Sequence, residues 1–425
     1  MAGKSTPSKK AQRAKNRSRP ISTTALSEPL VAETSTAAFS AFSKSGLFFA
    51  HIALAVDKHR LRVFDTESGK SIAESIFQNS RVSAVHWTSL PSSGADSNAD
   101  AEAAGDESSS RKRKKRKSVS GREISTEDLI VIGFSNGTLA IFSPRQGEIV
   151  RTLSTPSSND AILSITSTPM SPGSSPSGLW STSANGSIYS WDAHTGKLLA
   201  TWKMSQGTNT PYTAIAIHPS ATDNNSPHIL AARHRIQLFG ASRAEIDTPR
   251  EYAHTTGHAS PVISLDWAPP RASDSAQTFI SAAEGDRFAC IWQLPEPDTE
   301  DDEEDDEDEV PGGVLVASIS FDTDVRSVGY TSSSSAASPK PLAYGLSSSG
   351  ELRVFAPPSA SSTEKPEPLT SVEGTYITTP ASSPPIVSAC FDMRHPGYLR
   401  LARLVAGVRP VFDRIVGFLH ARAYT

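Results

Sequence analysis

Three side chains within one short stretch have the types that hydrolases use for nucleophilic catalysis. His258 precedes Ser264 and Asp266 in the segment GHASPVISLDW (257–267). A nucleophilic serine needs a histidine base and a carboxylate that orients the histidine. The segment, however, alternates apolar and polar residues, which predicts a β-strand with His258 in the turn before it. No Gly-x-Ser-x-Gly motif precedes a helix, and no segment has the period of such a helix. We therefore predict no hydrolase site.

The spacing of potential metal and phosphate ligands excludes other kinds of site. Eight histidines are scattered rather than set at ligand spacing, namely His51, His59, His194, His218, His228, His234, His254 and His258. Cys290 and Cys390 are far apart in the sequence, which indicates two reduced thiols. No GxxxxGK[ST] loop is present to bind phosphate. We predict no cofactor, no metal, no small-molecule substrate and no enzyme activity, which would need titratable groups that converge on one site.

Composition indicates folded segments that alternate with polar inserts. The 425 residues are 37% hydrophobic and include 30 prolines, and long Ser-rich stretches separate the apolar segments. The basic N-terminus lacks the apolar region of a secretory signal. The longest apolar stretch, LFFAHIALAV (47–56), is about half the length of a membrane span. We predict no membrane interaction.

Six segments repeat one pattern, in which a short apolar strand and a tight polar turn precede an alternating strand that ends in an aromatic residue. They are LAVDKHRLRVF (54–64), IGFSNGTLAIF (132–142), STSANGSIYSW (181–191), LAARHRIQLF (230–239), AAEGDRFACIW (282–292) and GLSSSGELRVF (345–355). The turns contain Asn136-Gly137, Asn185-Gly186 and Ser349-Gly350, residues that tolerate positive φ. Each segment therefore predicts a β-hairpin.

The spacing of the final aromatics predicts a β-propeller. They lie 78, 49, 48, 53 and 63 residues apart, and the two long intervals contain polar inserts. Without the inserts the period is about 45 residues, the length of a four-stranded blade. Five first strands and two last strands can also be identified, and a seventh unit follows residue 385 with IVSACF, YLRLARLV and RPVFDRIVGF. We predict an all-β, seven-bladed propeller over residues 36–418, because a closed ring leaves no exposed sheet edge between blades.

Several blades resemble WD repeats. The motifs are Trp191-Asp192 followed by HTGK, and Gly257-His258 ahead of Asp286 and Trp292. In that family the turn aspartate, the Gly-His histidine and the strand tryptophan join a buried hydrogen-bond network. The resemblance therefore implies that His258, Asp286 and Trp292 form a structural network, with Ser281 as the hydroxyl partner. Phe64, Phe142, Phe239 and Phe355 replace tryptophan in other blades, which we expect to be held mainly by packing.

Charged segments flank and interrupt the propeller. The first predicted insert (about 91–126) contains seven consecutive cations, Arg111, Lys112, Arg113, Lys114, Lys115, Arg116 and Lys117, and the predicted disordered tail (1–35) carries Lys9, Lys10, Arg13, Lys15, Arg17 and Arg19. We call the first set the basic cluster. It is consistent with a nuclear-import signal, with contact to RNA phosphates, or with a solubilising loop. The second predicted insert (about 295–312) contains ten acids (300–309), consistent with a solvated loop or a docking segment for basic proteins.

Two stretches narrow the resemblance to one family. GHASPVISLDWAP with TFISAAEGDRFACIWQL (257–294), and LRLARLVAGVRPVFDRIV (399–416), resemble the fifth and closing blades of the Utp-five/WD-repeat-forty-three family. That resemblance implies a non-catalytic scaffold of the nucleus and nucleolus that acts in pre-18S rRNA processing. The implied partners are other UtpA propeller and helical subunits, the pre-rRNA 5′ external transcribed spacer, and the pre-ribosome that contains the U-three snoRNP.

Three further points concern the end of the chain, an alternative function and the closure of the ring. Family members continue into a helical C-terminal domain, whereas this sequence ends at Thr425, so we expect residues 419–425 to be a short stub. The alternative function is a propeller adaptor of another nuclear pathway, such as a chromatin or ubiquitin-ligase substrate receptor. The ring is sealed either by residues near Leu26 to Ala37 or wholly by the last unit.

Overall fold

The repeated hairpins form seven antiparallel sheets in chain order. The computed structural model describes residues 40–54, 58–78, 80–91, 126–156, 159–168, 178–203, 211–218, 228–240, 249–269, 277–295, 310–330, 342–357, 367–368, 376–377, 386–391, 398–405 and 409–416. Every described element is a strand, and these ranges contain no helix of the length and hydrophobicity that crossing a membrane requires.

Each sheet is one blade, numbered 1 to 7, and its strands follow the sequence from the innermost outwards. Blade 1 comprises β1 (Ser40–Phe42), β2 (Phe48–Leu54), β3 (His59–Asp65) and β4 (Ser71–Phe77). Blade 2 comprises β5 (Val82–Pro91), β6 (Thr126–Phe134), β7 (Thr138–Ser143) and β8 (Glu148–Ser154). Blade 3 comprises β9 (Ile162–Ser167), β10 (Gly178–Ser183), β11 (Ser187–Asp192) and β12 (Leu198–Lys203). Blade 4 comprises β13 (Ala214–Ile217), β14 (His228–Ala232), β15 (Ile236–Gly240) and β16 (Arg250–Thr255). Blade 5 comprises β17 (Val262–Trp267), β18 (Gln277–Ala283), β19 (Phe288–Leu294) and β20 (Val314–Ser320). Blade 6 comprises β21 (Val325–Tyr330), β22 (Ala343–Ser347), β23 (Leu352–Phe355) and β25 (Tyr376–Ile377). In the described ranges blade 7 comprises β26 (Ile386–Phe391), β27 (Tyr398–Val405) and β28 (Arg409–Val416). A further strand, β24 (Glu367–Pro368), pairs in parallel with the outer edge of β20.

The first strands of the blades surround a central axis. Contacts run from β1 through β5, β9, β13 and β17 to β21, while β26 contacts both β22 and β1. The seven-bladed all-β fold that the repeat predicts is therefore confirmed, and the seventh unit forms blade 7 as expected. The last unit meets blade 1 directly, and residues 26–37 lie outside the described ranges.

The core is divided among the blade interfaces. Within the described ranges, seven apolar clusters each join two neighbouring blades, and the last of them joins blades 7 and 1. Alternate side chains of a strand point to opposite faces of its sheet, so one strand supplies apolar residues to both neighbouring blades. Phe142 and Phe355, which replace tryptophan, are fully buried in these clusters. Packing alone therefore accounts for their place in the repeat.

Glycine closes the hairpins between the second and third strands. Gly137, Gly186 and Gly350 have φ values of 79°, 81° and 80°, as their sequence context predicts. A residue with a Cβ is strained in this left-handed conformation. The turn residues therefore fix the register that brings each final aromatic to the blade interface.

Candidate functional site

The structure brings the predicted WD residues of blade 5 into one hydrogen-bonded chain. The indole Nε1–H of Trp292 donates to Oγ of Ser281 at 2.7 Å, and that Oγ lies 2.8 Å from Nε2 of His258. Nδ1 of His258 lies 2.9 Å from a carboxylate oxygen of Asp286. The chain links the turn before β17 to β18, to the β18–β19 turn and to β19.

Gly257 allows this chain to close. A Cβ at position 257 would lie 2.7 Å from Cη2 of Trp292, which is closer than packed carbon atoms approach. The absence of a side chain therefore lets the turn press against the indole while His258 reaches Ser281. This contact gives a physical reason for the Gly-His pair that the sequence shows.

The hydrogen-bond donors and acceptors of the four groups can be matched to one another. Nδ1–H of His258 can donate to the ionised Asp286, and Nε2 then accepts the hydroxyl proton of Ser281. The Ser281 oxygen remains free to accept from Trp292. Ser281 is fully buried, and the imidazole of His258 is 2% exposed. Buried polar groups need partners, so this arrangement is suited to holding strands together.

In blade 3 the tryptophan and the aspartate of the motif take part in separate hydrogen bonds. Trp191 donates to Oγ of Ser181 at 3.1 Å, the same bond that Trp292 makes in blade 5. Asp192, by contrast, is the last residue of β11, and its carboxylate accepts hydrogen bonds from His194 and Thr195 in the turn that follows. Burial acts to raise the pKa of Asp192, but these hydrogen bonds outweigh it and lower the pKa. Asp192 therefore stabilises a turn and does not join the buried bond of Trp191.

The basic cluster and the cations of the tail lie outside the described residues, but the strands beside the two inserts are described. Pro91 at the end of β5 pairs with Thr126 at the start of β6, so the first insert connects two adjacent strands. The second insert begins after β19 ends at Leu294. First and third strands of a blade run in the same direction, so both inserts begin at the same face of the ring.

The structure also brings together titratable side chains that the sequence did not reveal as a group. They are Lys44, His86, Asp128 and Asp266, and we call them the axial cluster. Lys44, after β1, interacts electrostatically with Asp128 of blade 2 and with Asp266 of blade 5.

Most members of the axial cluster join neighbouring blades. A carboxylate oxygen of Asp266 accepts the backbone N–H of Tyr330 in blade 6 at 2.7 Å. Asp128 accepts hydrogen bonds from Ser45 of blade 1 at 3.2 Å and from Ser89 at 2.9 Å. Nε2 of His86 lies 3.0 Å from Oγ of Ser167 in blade 3. These contacts satisfy polar groups where the first strands meet.

Comparison with known proteins finds a similar WD-repeat protein. The sequence is 28% identical over 197 residues to WD repeat-containing protein 43 from Homo sapiens, a match that covers 44% of this chain and 26% of that protein. No family model matches the sequence. The chain is a seven-bladed propeller similar in sequence to WD repeat-containing protein 43. This match confirms the family resemblance that the sequence indicates, and it spans about a quarter of the relative's length.

One solved structure supports the propeller fold of this chain. A chain of the crystal structure of the mitotic checkpoint complex aligns with a TM-score of 0.54 at 14% identity, covering 89% of this chain and 87% of that chain. The computationally designed Ika8 protein gives a TM-score of 0.45 at 16% identity over 92% and 90% of the two chains, and no conclusion rests on it. The first alignment shows a shared fold and nothing about function.

Burial shifts the pKa of three members of the axial cluster, Asp266, His86 and Lys44. It raises the pKa of Asp266 to about 6, against the opposing effects of the Tyr330 and Trp267 amides and of Lys44. Burial also lowers the pKa of His86 to about 3, and the charge of Lys44 lowers it further. Desolvation lowers the pKa of Lys44, although Asp266 and Asp128 oppose this change. His86 is therefore neutral at physiological pH.

The axial cluster lacks the arrangement of a nucleophilic site. His86 and Ser167 are within hydrogen-bond distance, but no described residue bonds to Nδ1 of His86 to orient the ring. A serine nucleophile depends on such an orienting group. Among the described residues no three His, Cys, Asp or Glu side chains are grouped to hold a metal ion, and neither Cys290 nor Cys390 forms a disulfide. Joining blades is the chemistry that this arrangement supports best.

Proposed function

We propose that the chain is a non-catalytic scaffold of ribosome biogenesis in the nucleolus. It acts as a UtpA subunit of the small-subunit processome, binds sister propeller and helical subunits, and supports pre-18S rRNA processing. The observation that carries this proposal is the match to WD repeat-containing protein 43, taken with the family-specific stretches in blades 5 and 7. A rigid ring of seven packed blades is suited to such a role because it presents many separate surfaces.

In this proposal the charged segments contact the nucleic acid. The basic cluster and the tail cations neutralise phosphates of the 5′ external transcribed spacer, and the basic cluster also serves nuclear import. Backbone contact of this kind does not depend on sequence and weakens as salt rises. The face at which β5 ends then lies towards the pre-rRNA within the pre-ribosome that contains the U-three snoRNP.

RNA crosslinking in cells, followed by sequencing of the attached fragments, tests this function. We expect fragments of the pre-rRNA leader, and we expect purification of the full chain to recover UtpA subunits. Recovery of histones or a cullin without pre-rRNA would instead identify an adaptor of another nuclear pathway and overturn the proposal.

Neutralising the basic cluster separates import from RNA contact. All seven residues are replaced by Gln, and the seven acids 300–306 are replaced by their amides as a matched control of opposite charge. We expect the basic variant to lose nuclear entry, and to recover entry but not RNA crosslinking when a foreign import signal is attached. Thermal stability should stay within about 0.5 kcal/mol of the parent, as for surface changes in general. Full recovery of crosslinking would show that the basic cluster acts in import alone.

A further inference from the structure

Planar side chains at one end of blade 4 form a line from its innermost strand to its outermost strand. The centre of the His218 ring, just after β13, lies 4.7 Å from the centre of the Trp267 ring and 6.4 Å from that of His228. His228 begins β14, and its ring centre lies 5.7 Å from that of Tyr252 on β16. The guanidinium carbon of Arg250 lies 5.9 Å from the centre of the Tyr252 ring. We call His218, His228, Tyr252 and Arg250 the planar row.

Two features of the backbone bring these rings together. A Cβ at Gly240, the last residue of β15, would lie 2.6 Å from Cε2 of Tyr252 and 3.0 Å from Cδ2 of His228. A side chain at position 240 would therefore occupy the space in which the two rings meet. Tyr252 is also the extra residue of a β-bulge between β15 and β16, a feature that re-aims a side chain. The shape of the backbone thus places the rings of the planar row side by side.

The planar row is accessible to solvent. Arg250 is exposed, and the three rings of the row are half-buried. Other ring pairs of the propeller, such as Trp180 with Trp202, are buried within a blade interface and serve packing. Rings that contact one another and still reach solvent present planar surface to a ligand.

Charge in the planar row defines the chemistry of the ligand. Burial lowers the pKa of His218 to about 4, and His228 lowers it further, while burial also lowers the pKa of His228. Both imidazoles are therefore neutral at physiological pH. The carboxylate of Glu251, next to Tyr252 in the sequence, binds Arg235 at 2.9 Å and is thereby neutralised. Neutral rings that end in one guanidinium group match a nucleobase, because its π-face stacks on both.

The planar row lies at the face of the ring where the first insert begins. β13 and β17 end beside the row, at Ile217 and Trp267, and β5 ends at Pro91 before the insert. The innermost strands have the same place in every blade, so their ends share one face of the ring. A strand of RNA whose phosphates contact the basic cluster can therefore approach the row at this face.

We propose that the planar row binds unpaired bases of single-stranded RNA by stacking. The inference rests on the proposed function, in which this face lies towards the pre-rRNA, and it adds base contacts to the phosphate contacts of the basic cluster. Stacking of this kind tolerates any sequence, because every base has a π-face. Bases in a duplex already stack on one another, so the row selects single strands.

Binding of a short fluorescent RNA by the purified full chain tests the proposal. R250K keeps the charge but removes the planar group, and Y252L keeps an apolar side chain but removes the ring. We expect each to weaken binding of the single strand by about fivefold or more. The slope of log affinity against log salt concentration should not change, because no charge is lost. Binding of the same strand paired with its complement should not change either.

Two variants serve as matched controls. Y252F retains the ring, and R287K makes the same exchange at an exposed arginine of the β18–β19 turn, at the opposite face of the ring. Both should bind the single strand as the parent does. Binding by R250K that equals binding by R287K would overturn the proposal. So would an equal loss of affinity for the single strand and the duplex, which would indicate contact with phosphates alone.

Ultraviolet crosslinking of RNA to the chain in cells, with mass spectrometry of the RNA-linked peptides, locates the contact. We expect linked peptides that contain His228 or Tyr252. Recovery of pre-rRNA with linked peptides confined to other blades would refute the planar row and leave the proposed function standing. Peptides of the row linked to RNA other than pre-rRNA would support the row and count against the proposed function.

Discussion

Ser281 shows how one small side chain can hold several strands. Its oxygen accepts from Trp292 and lies within hydrogen-bond distance of His258, so its removal leaves two buried polar atoms without this partner. An unsatisfied buried donor or acceptor costs about 1–3 kcal/mol. We expect Ser281→Ala to lower the free energy of unfolding by about 2–3 kcal/mol in urea denaturation.

The matched control is Ser181→Ala in blade 3. Ser181 accepts from Trp191, and blade 3 places no histidine against it among the described residues. Its loss should therefore cost about 1 kcal/mol. Equal losses for the two variants would show that His258 adds nothing through Ser281.

Asp266 gives a prediction with a defined dependence on pH. Its pKa of about 6 in the folded protein exceeds the ordinary value of 3.8. At pH values between these two pKa values, the Asp266 carboxyl group has released its proton in the unfolded state but retains it in the folded state. The contribution of Asp266 to stability therefore falls as pH rises through this window and is constant above it.

Asp266→Asn removes that proton while its amide oxygen can still accept the Tyr330 N–H. Between pH 4.5 and 7.5 we expect the parent to lose about 1–3 kcal/mol relative to the variant, since one pKa unit corresponds to about 1.4 kcal/mol. His86, whose pKa is lowered, has the opposite pH dependence but is present in both proteins, so it cancels in the difference. Urea denaturation at both pH values measures the change. A difference that does not vary with pH would contradict the role assigned to burial.

At the scale of elements, the turn before β17 must lie close to β19. Gly257→Ala places a Cβ 2.7 Å from the ring of Trp292, and the indole cannot move without weakening its bond to Ser281. We expect a loss of about 1–3 kcal/mol, the cost of overpacking. Gly312→Ala is the matched control, because no atom lies within 4 Å of its added Cβ. Thermal unfolding of both variants tests this, and a Gly257 variant as stable as the Gly312 variant would disprove the close contact.

Elements could be predicted well because their signals are local. Alternation, the Asn-Gly turns and the final aromatics occur within about a dozen residues of one another, and they predicted the hairpins and the seventh unit. The residues of the blade 5 chain were implied by the resemblance to WD repeats. The axial cluster could not be predicted in this way. Lys44, Asp128 and Asp266 belong to three blades and meet only after the ring closes. Periodicity specifies which face a residue occupies within its blade but not which side chains meet across the axis.

At the scale of the whole molecule, periodicity also does not specify which side chains meet at the seam between blades 7 and 1. Nη1 of Arg400 donates to Oγ1 of Thr66 at 2.7 Å, across a sequence separation of 334 residues. Arg400 is 5% exposed, and its Nη2 lies 3.6 Å from Glu67. A buried cation with these partners joins the first and last blades, where no peptide connection does so among the described residues.

Replacing this arginine should therefore loosen the ring at the seam. We expect Arg400→Ala to lower the free energy of unfolding by about 2–4 kcal/mol, because it leaves a cavity and removes charged hydrogen bonds. Arg403→Ala is the matched control, since its partner Asp413 is 46% exposed and such pairs contribute about 1 kcal/mol or less. Hydrogen exchange locates the effect, which should appear first in β1 and in β26, β27 and β28. Exchange that rises equally in all seven blades would show instead that the ring unfolds as one cooperative unit, with no weak point where its ends meet.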